Sequence, residues 1–146
     1  MKNPKLSYKM EDYLETISFI EEKREVARVG EIAKELDVKS SSVNVMMKML
    51  ANRDLIKHEK YGYIKLTKTG REIAEQVKAR HHVLNNFLVK YLGVDQQTAA
   101  VDACGLEHSL SSETFTRLKK FISFLEKDKA HSHMDIRKGI KEFIKE

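Results

Sequence analysis

The stretch that decides the fold is VARVGEIAKELDVKSSSVNVMMKMLANRDLI, residues 26–56. Ile32, Ala33 and Leu36 share one face of a short helix from Val29 to Leu36. The DVKS that follows breaks the pattern, and Ser40 or Ser41 supplies an N-cap for a second helix. That helix turns Val43, Met46, Met47 and Leu50 inward. Upstream, Tyr8, Met10, Tyr13, Leu14, Ile17, Phe19 and Ile20 recur at spacings dominated by three and four, which predicts an amphipathic helix from Ser7 to Lys23. A long helix, then two short ones joined by a tight turn, is a tri-helical helix-turn-helix.

Downstream comes LIKHEKYGYIKLTKTG, residues 55–70. Leu55–His58 and Tyr63–Leu66 alternate around EKYG, with Gly62 supplying turn freedom, so a β-hairpin is expected. A basic hairpin directly behind a helix-turn-helix is a wing. Beyond it the pattern is helical throughout. A long helix runs from Thr67 to Tyr91 and ends near Gly93, a helix over 95–108 is weakened by Gly105, and a third starts at Ser111 or Ser112. Residues 128–134 form a polar loop, and Met134–Ile144 is a short amphipathic helix. The expected fold is mainly α: a winged-helix DNA-binding domain over residues 1–70, with a small β-hairpin wing, then an all-helical domain over 71–146.

The 146 residues are 41% hydrophobic and 34% charged, enough for a real core under a polar surface. The net charge of +5 is compatible with a polyanionic partner. A single cysteine forms no internal disulfide and fits a reducing compartment. MKNPKLSYKMEDYLE lacks the apolar stretch of a signal peptide, and no run approaches the ~20 apolar residues of a membrane span. A cytoplasmic protein without a membrane role is expected.

The second helix of a helix-turn-helix enters the major groove with its N-terminal end leading. That end carries Lys39, Ser40, Ser41, Ser42 and Asn44, with Lys48 one turn on. Lysine and serine suit phosphate oxygens, and Asn44 suits an adenine edge. The wing adds Lys57, His58, Lys60 and Tyr61. The bland reading of KSSS is a capping stretch on a solvated helix.

DACGLEH, residues 102–108, places Cys104, Glu107 and His108 at i, i+3 and i+4 of one helix, so sulfur, oxygen and nitrogen donors share a side. Asp12 and Glu15 flank the buried stripe of the first helix. One of His81 and His82 must turn toward the core side of the long helix. Taken singly, each is more simply a solvated carboxylate, an inert cysteine or a core imidazole. Donors on the inner edges of three helices behind a DNA-binding module point to a transition metal.

Together MEDYLETI (10–17), VGEIAKELDVKSSSV (29–43), GYIKLTKTG (62–70), RHHVLNNFL (80–88) and CGLEHSLS (104–111) resemble the diphtheria toxin repressor family of metal-dependent regulators, its short, manganese transport regulator-like branch in particular. The resemblance runs through nearly the whole chain. It implies a homodimeric repressor that binds a double-stranded DNA operator when loaded with Fe(II) or Mn(II). It also implies metal ligands at Asp12, Glu15, His81 rather than His82, Cys104, Glu107 and His108. Manganese-type members carry glutamate where Cys104 stands. Iron-type members carry cysteine there but methionine where Asp12 stands, so this chain combines the two patterns. The thiolate, a soft ligand, leans toward Fe(II). Two other classes remain in play: a winged-helix regulator sensing an organic ligand, and an enzyme using Cys104, Glu107 and His108. No nucleophile motif or phosphate-binding glycine loop supports the enzyme.

Overall fold

The computed structural model describes residues 6–59, 62–127 and 136–144, except for the side chains of residues 136, 137 and 141. The expected wing-tip contacts Lys60 and Tyr61, the polar loop over 128–134 and the start of the last helix at Met134 lie outside the described residues. The chain forms two compact units, residues 1–78 and 79–146.

In the first unit α1 spans Tyr8–Arg24, α2 Val29–Glu35 and α3 Ser40–Ala51; β1 is Ile56–His58 and β2 is Ile64–Leu66. Ser7 caps α1, its Oγ accepting from Met10 N at 3.3 Å. Arg28 N donates to Glu31 Oε2 at 3.1 Å, which ties down the start of α2. The N-cap of α3 is Lys39, in extended backbone, and not Ser40 or Ser41. The helix starts one or two residues earlier than expected and places the three serines in its first turn, all exposed. Tyr13, Leu14, Ile17, Ile32, Val43, Met47 and Leu50 are buried in one core with Ile56, Ile64 and Leu66.

The strands pair antiparallel, Ile56 with Leu66 and His58 with Ile64. Ala27 extends this sheet through two backbone hydrogen bonds with Ile64, at 3.0 and 2.9 Å. Glu21 fastens the wing to α1: its Oε1 accepts from Leu66 N at 2.7 Å and its Oε2 pairs with Arg71 at 2.5 Å. At the foot of the wing the Thr67 hydroxyl donates to Asp54 O at 2.8 Å and accepts from Gly70 N at 3.0 Å. A Cβ on residue 70 would stand 2.0 Å from Leu55 O, so only glycine fits there.

Helix α4, Lys68–Lys90, begins in the first unit, and its C-terminal half belongs to the second. Gly93, at φ 70°, ends the segment in a left-handed turn. Helix α5 spans Gln96–Ser109, α6 Ser112–Lys127 and α7 Ile136–Ile144. Asp95 caps α5, accepting from Gln97 N and Thr98 N at 3.0 and 3.1 Å. Ser111 opens α6 by accepting from Thr114 N at 3.1 Å. Leu84 and Leu88 pack with Ala99 and Ala103, while Tyr91 packs with Ile122 and Leu125. On α6, Phe121 and Phe124 remain exposed. The described residues include no helix long and apolar enough to cross a membrane.

Candidate metal centre and nucleic-acid interface

Helix α5 buries Ala99, Ala103 and Glu107, a stripe with a four-residue period. The two alanines let Leu84 and Leu88 of α4 pack closely. The third position of the stripe is a carboxylate with no solvent exposure. Burying a charge is costly unless partners compensate. Glu107 has two imidazoles: His81 Nδ1 lies 2.9 Å from its Oε2, and His108 Nε2 lies 3.2 Å from its Oε1. His81 comes from α4 and keeps a third of its side chain exposed, whereas His108 comes from the next position of α5 and is nearly buried. Arg80 reaches the same turn, donating to the backbone oxygen of Glu107 at 3.4 Å, with its guanidinium 5.6 Å from the centre of the Phe115 ring.

His82, the neighbour of His81, is exposed. Cys104, one turn before Glu107 and His108, is also exposed. The i, i+3, i+4 spacing therefore sets three donors on adjoining positions without burying them equally. In the first unit Asp12 and Glu15 are half-buried on α1, on either side of the buried Tyr13 and Leu14. Burial pushes the Tyr13 hydroxyl above its ordinary pKa. Among the described residues no group of three or more His, Cys, Asp or Glu side chains forms a ready-made cage for an ion. His81 is instead hydrogen-bonded to Glu107, with His108 Nε2 at ion-pair distance from the other Glu107 oxygen. Their chemistry nevertheless fits a divalent transition metal: imidazole nitrogens gathered about a carboxylate from which water is excluded.

On the DNA side, Lys39, Ser40, Ser41, Ser42, Asn44 and Lys48 are all exposed, and no carboxylate occurs between Val38 and Arg53. Lys57 and His58 are exposed on β1. Of two supporting residues, one escapes the sequence pattern. Arg28 donates to the Tyr63 hydroxyl at 2.9 Å and stacks over its ring at 4.9 Å, which braces the wing. Glu21 did leave a signal: it continues the apolar stripe of α1 four residues after Ile17.

Residues 5–64 match the iron dependent repressor N-terminal DNA binding domain, and residues 67–135 match the iron dependent repressor metal binding and dimerisation domain. A helix-turn-helix-type transcriptional regulator of Methanocaldococcus jannaschii is 42% identical over 118 residues, 80% of this chain and 94% of its own length. The helix-turn-helix-type transcriptional regulator MntR of Bacillus subtilis is 36% identical over 121 residues, 83% of this chain and 84% of its own length. The solved structure of the manganese regulator SloR superposes with a TM-score of 0.70 at 30% identity, over 79% of this chain but 54% of that one. The chain thus spans about half the length of that solved structure.

A winged helix-turn-helix followed by a helical unit, matched to a DNA binding domain and to relatives that are transcriptional regulators, defines a DNA-binding regulator of transcription. The chain belongs to the iron dependent repressor family, whose members join a DNA binding domain to a metal binding and dimerisation domain.

Proposed function

We propose that the protein is a repressor that binds a double-stranded DNA operator as a homodimer when loaded with Fe(II) or Mn(II), and that it acts in the cytoplasm. The observation that carries this reading is the buried Glu107 carboxylate between His81 and His108. Residues 1–70 serve as the winged-helix domain and residues 71–146 as the metal-binding and dimerisation domain. The metal ligands are Asp12, Glu15, His81, Cys104, Glu107 and His108. The DNA contacts come from Lys39, Ser40, Ser41, Ser42, Asn44 and Lys48 on α3, and from Lys57, Lys60 and Tyr61 on the wing.

A divalent ion held by these residues would supply a fixed positive charge. Glu107 contributes an anionic oxygen already stripped of water. His81 and His108 contribute neutral nitrogens, and Cys104 contributes sulfur once its proton is lost, so loading weakens on acidification. The proposed ligands come from both units, so ion affinity and DNA affinity are linked. The coupling equals the difference in ion affinity between DNA-competent and incompetent states. A coupling of about 3 kcal/mol changes operator affinity roughly 100-fold.

The relative named as a manganese regulator favours Mn(II), and the thiol of Cys104 favours Fe(II). The test is duplex DNA binding by anaerobically purified protein, first chelated and then reloaded with Fe(II) or Mn(II), alongside metal content per chain. Binding that ignores the ion removes the proposal.

A further inference from the structure

Val45 is the most exposed large apolar residue described in the first unit, at 61%. It lies in the middle of α3. Two residues before it, Val43 is wholly buried, and successive residues turn by about 100° around a helix. The Val45 methyls therefore stand on the side directly away from the core. Met49, one turn on, is 44% exposed and continues the apolar strip. Ser41, one turn back, is exposed, as are Asn44 and Lys48 beside it. Phe19 is the contrasting case: it is a partly exposed apolar ring of the same unit, and the Lys23 ammonium covers it at 3.5 Å.

We infer that Val45, with Met49 beside it, reads the C5-methyl groups of thymine in the major groove. The inference rests on the DNA-binding reading above. The occupant follows from what surrounds the strip: Lys39 and Lys48 are exposed, no carboxylate occurs from Val38 to Arg53, and residues 5–64 match a DNA binding domain. In the major groove thymine alone of the four bases presents a methyl group, and apolar side chains are its natural contact. Valine suits the task. In a helix it is held in one χ1 rotamer, so its methyls are already ordered before DNA arrives. The lysines of α3 are point charges that fix position on the phosphates. Without Val45 and Met49, base discrimination would rest on Asn44 and three serines.

The experiment starts from a pool of random duplexes, selected on the full, anaerobically handled chain with Fe(II), with Mn(II) and with chelator. Each thymine of an enriched duplex is then replaced by uracil, which removes the methyl and nothing else. At one or two positions the natural protein is expected to lose about fourfold in affinity, the weight of one buried methyl-sized group. Val45→Ala, at an exposed helical site where alanine is a good helix former, is expected to bind the thymine duplex about fourfold more weakly and to ignore those uracils, with its salt dependence unchanged. Indifference of the natural protein to every uracil overturns the inference, as does undiminished sensitivity in Val45→Ala. Salt-sensitive duplex binding with no enriched sequence overturns it while leaving DNA binding intact. No duplex binding with Fe(II), with Mn(II) or with chelator removes both readings.

Discussion

Oε2 of Glu107 on α5 lies 2.9 Å from Nδ1 of His81 on α4, and the carboxylate is entirely buried. A buried acid facing two imidazoles stabilises the second unit and is also the proposed heart of the metal centre. Substitution separates the two roles. Glu107→Ala leaves His81 without its acceptor and the nearly buried His108 without its charge partner, and is expected to destabilise the unit by about 2–4 kcal/mol, read by urea unfolding in chelator. Glu107→Gln keeps the shape and one acceptor oxygen, so it should unfold nearly like the natural protein. It should still lose at least about tenfold in metal affinity. Natural metal affinity in Glu107→Gln would take Glu107 out of the centre.

Glu21 links α1 to the wing through Leu66 N and to α4 through Arg71. Removing it strands a buried backbone N–H. Glu21→Ala is expected to cost the first unit about 2–3 kcal/mol, while Glu21→Gln, which can still accept from Leu66 N, costs about 1 kcal/mol. Arg71 is half exposed, so the ion pair itself contributes little. Equal losses in the two variants would show that the charge, not the acceptor, matters.

Most of the fold was legible because its signals are periodic. The stripe from Met10 to Ile20, the inward positions of α2 and α3 and the alternation around Gly62 are decided by residues a few positions apart. The first residue of α3 was misread because a serine looks like a cap wherever it occurs, whereas Lys39 takes that place through backbone conformation alone. At the candidate site, Glu107 was readable as the third member of the Ala99, Ala103 stripe. The choice of His81 over His82 came from the resemblance, since adjacent positions on one helix differ only by rotation. Arg80 and Arg28 act across distances in sequence of 27 and 35 residues, and no local pattern marks such partners.

Helix α5 carries three of the proposed ligands, and Asp95 caps it. Hydrogen bonds from the side chain and backbone of Thr98, then from Gln97 N, hold the Asp95 carboxyl below the ordinary aspartate range. A lowered folded-state pKa means that the stabilisation is present above the unfolded value of about 3.9 and is lost as pH falls through the lowered value. Glu22 behaves alike in the first unit, held down by Lys78. Asp95→Asn preserves a good cap without a titrating group. Its unfolding curve is expected to match that of the natural protein near neutrality and to show a weaker pH dependence below about pH 4. Identical acid profiles would show that the Asp95 cap is not linked to folding.

Cys104 offers the sharpest test of metal choice. It sits one turn from Glu107 and His108 yet is exposed, so exchanging it disturbs no packing in the described core. A thiolate is soft and favours Fe(II) over Mn(II), while a carboxylate is hard and suits Mn(II). Cys104→Glu is therefore expected to shift the metal response of DNA binding toward Mn(II), by about tenfold or more in the ratio of activating concentrations, an amount equal to about 1.4 kcal/mol. Cys104→Ser is expected to weaken the response to both ions, because a hydroxyl is a poor ligand that stays protonated. The measurement is duplex binding titrated with each ion under anaerobic conditions. An unchanged Fe(II)/Mn(II) ratio in Cys104→Glu would mean that the thiol does not set selectivity, leaving the choice of ion to the His81, Glu107 and His108 cluster and to the supply of each metal in the cell.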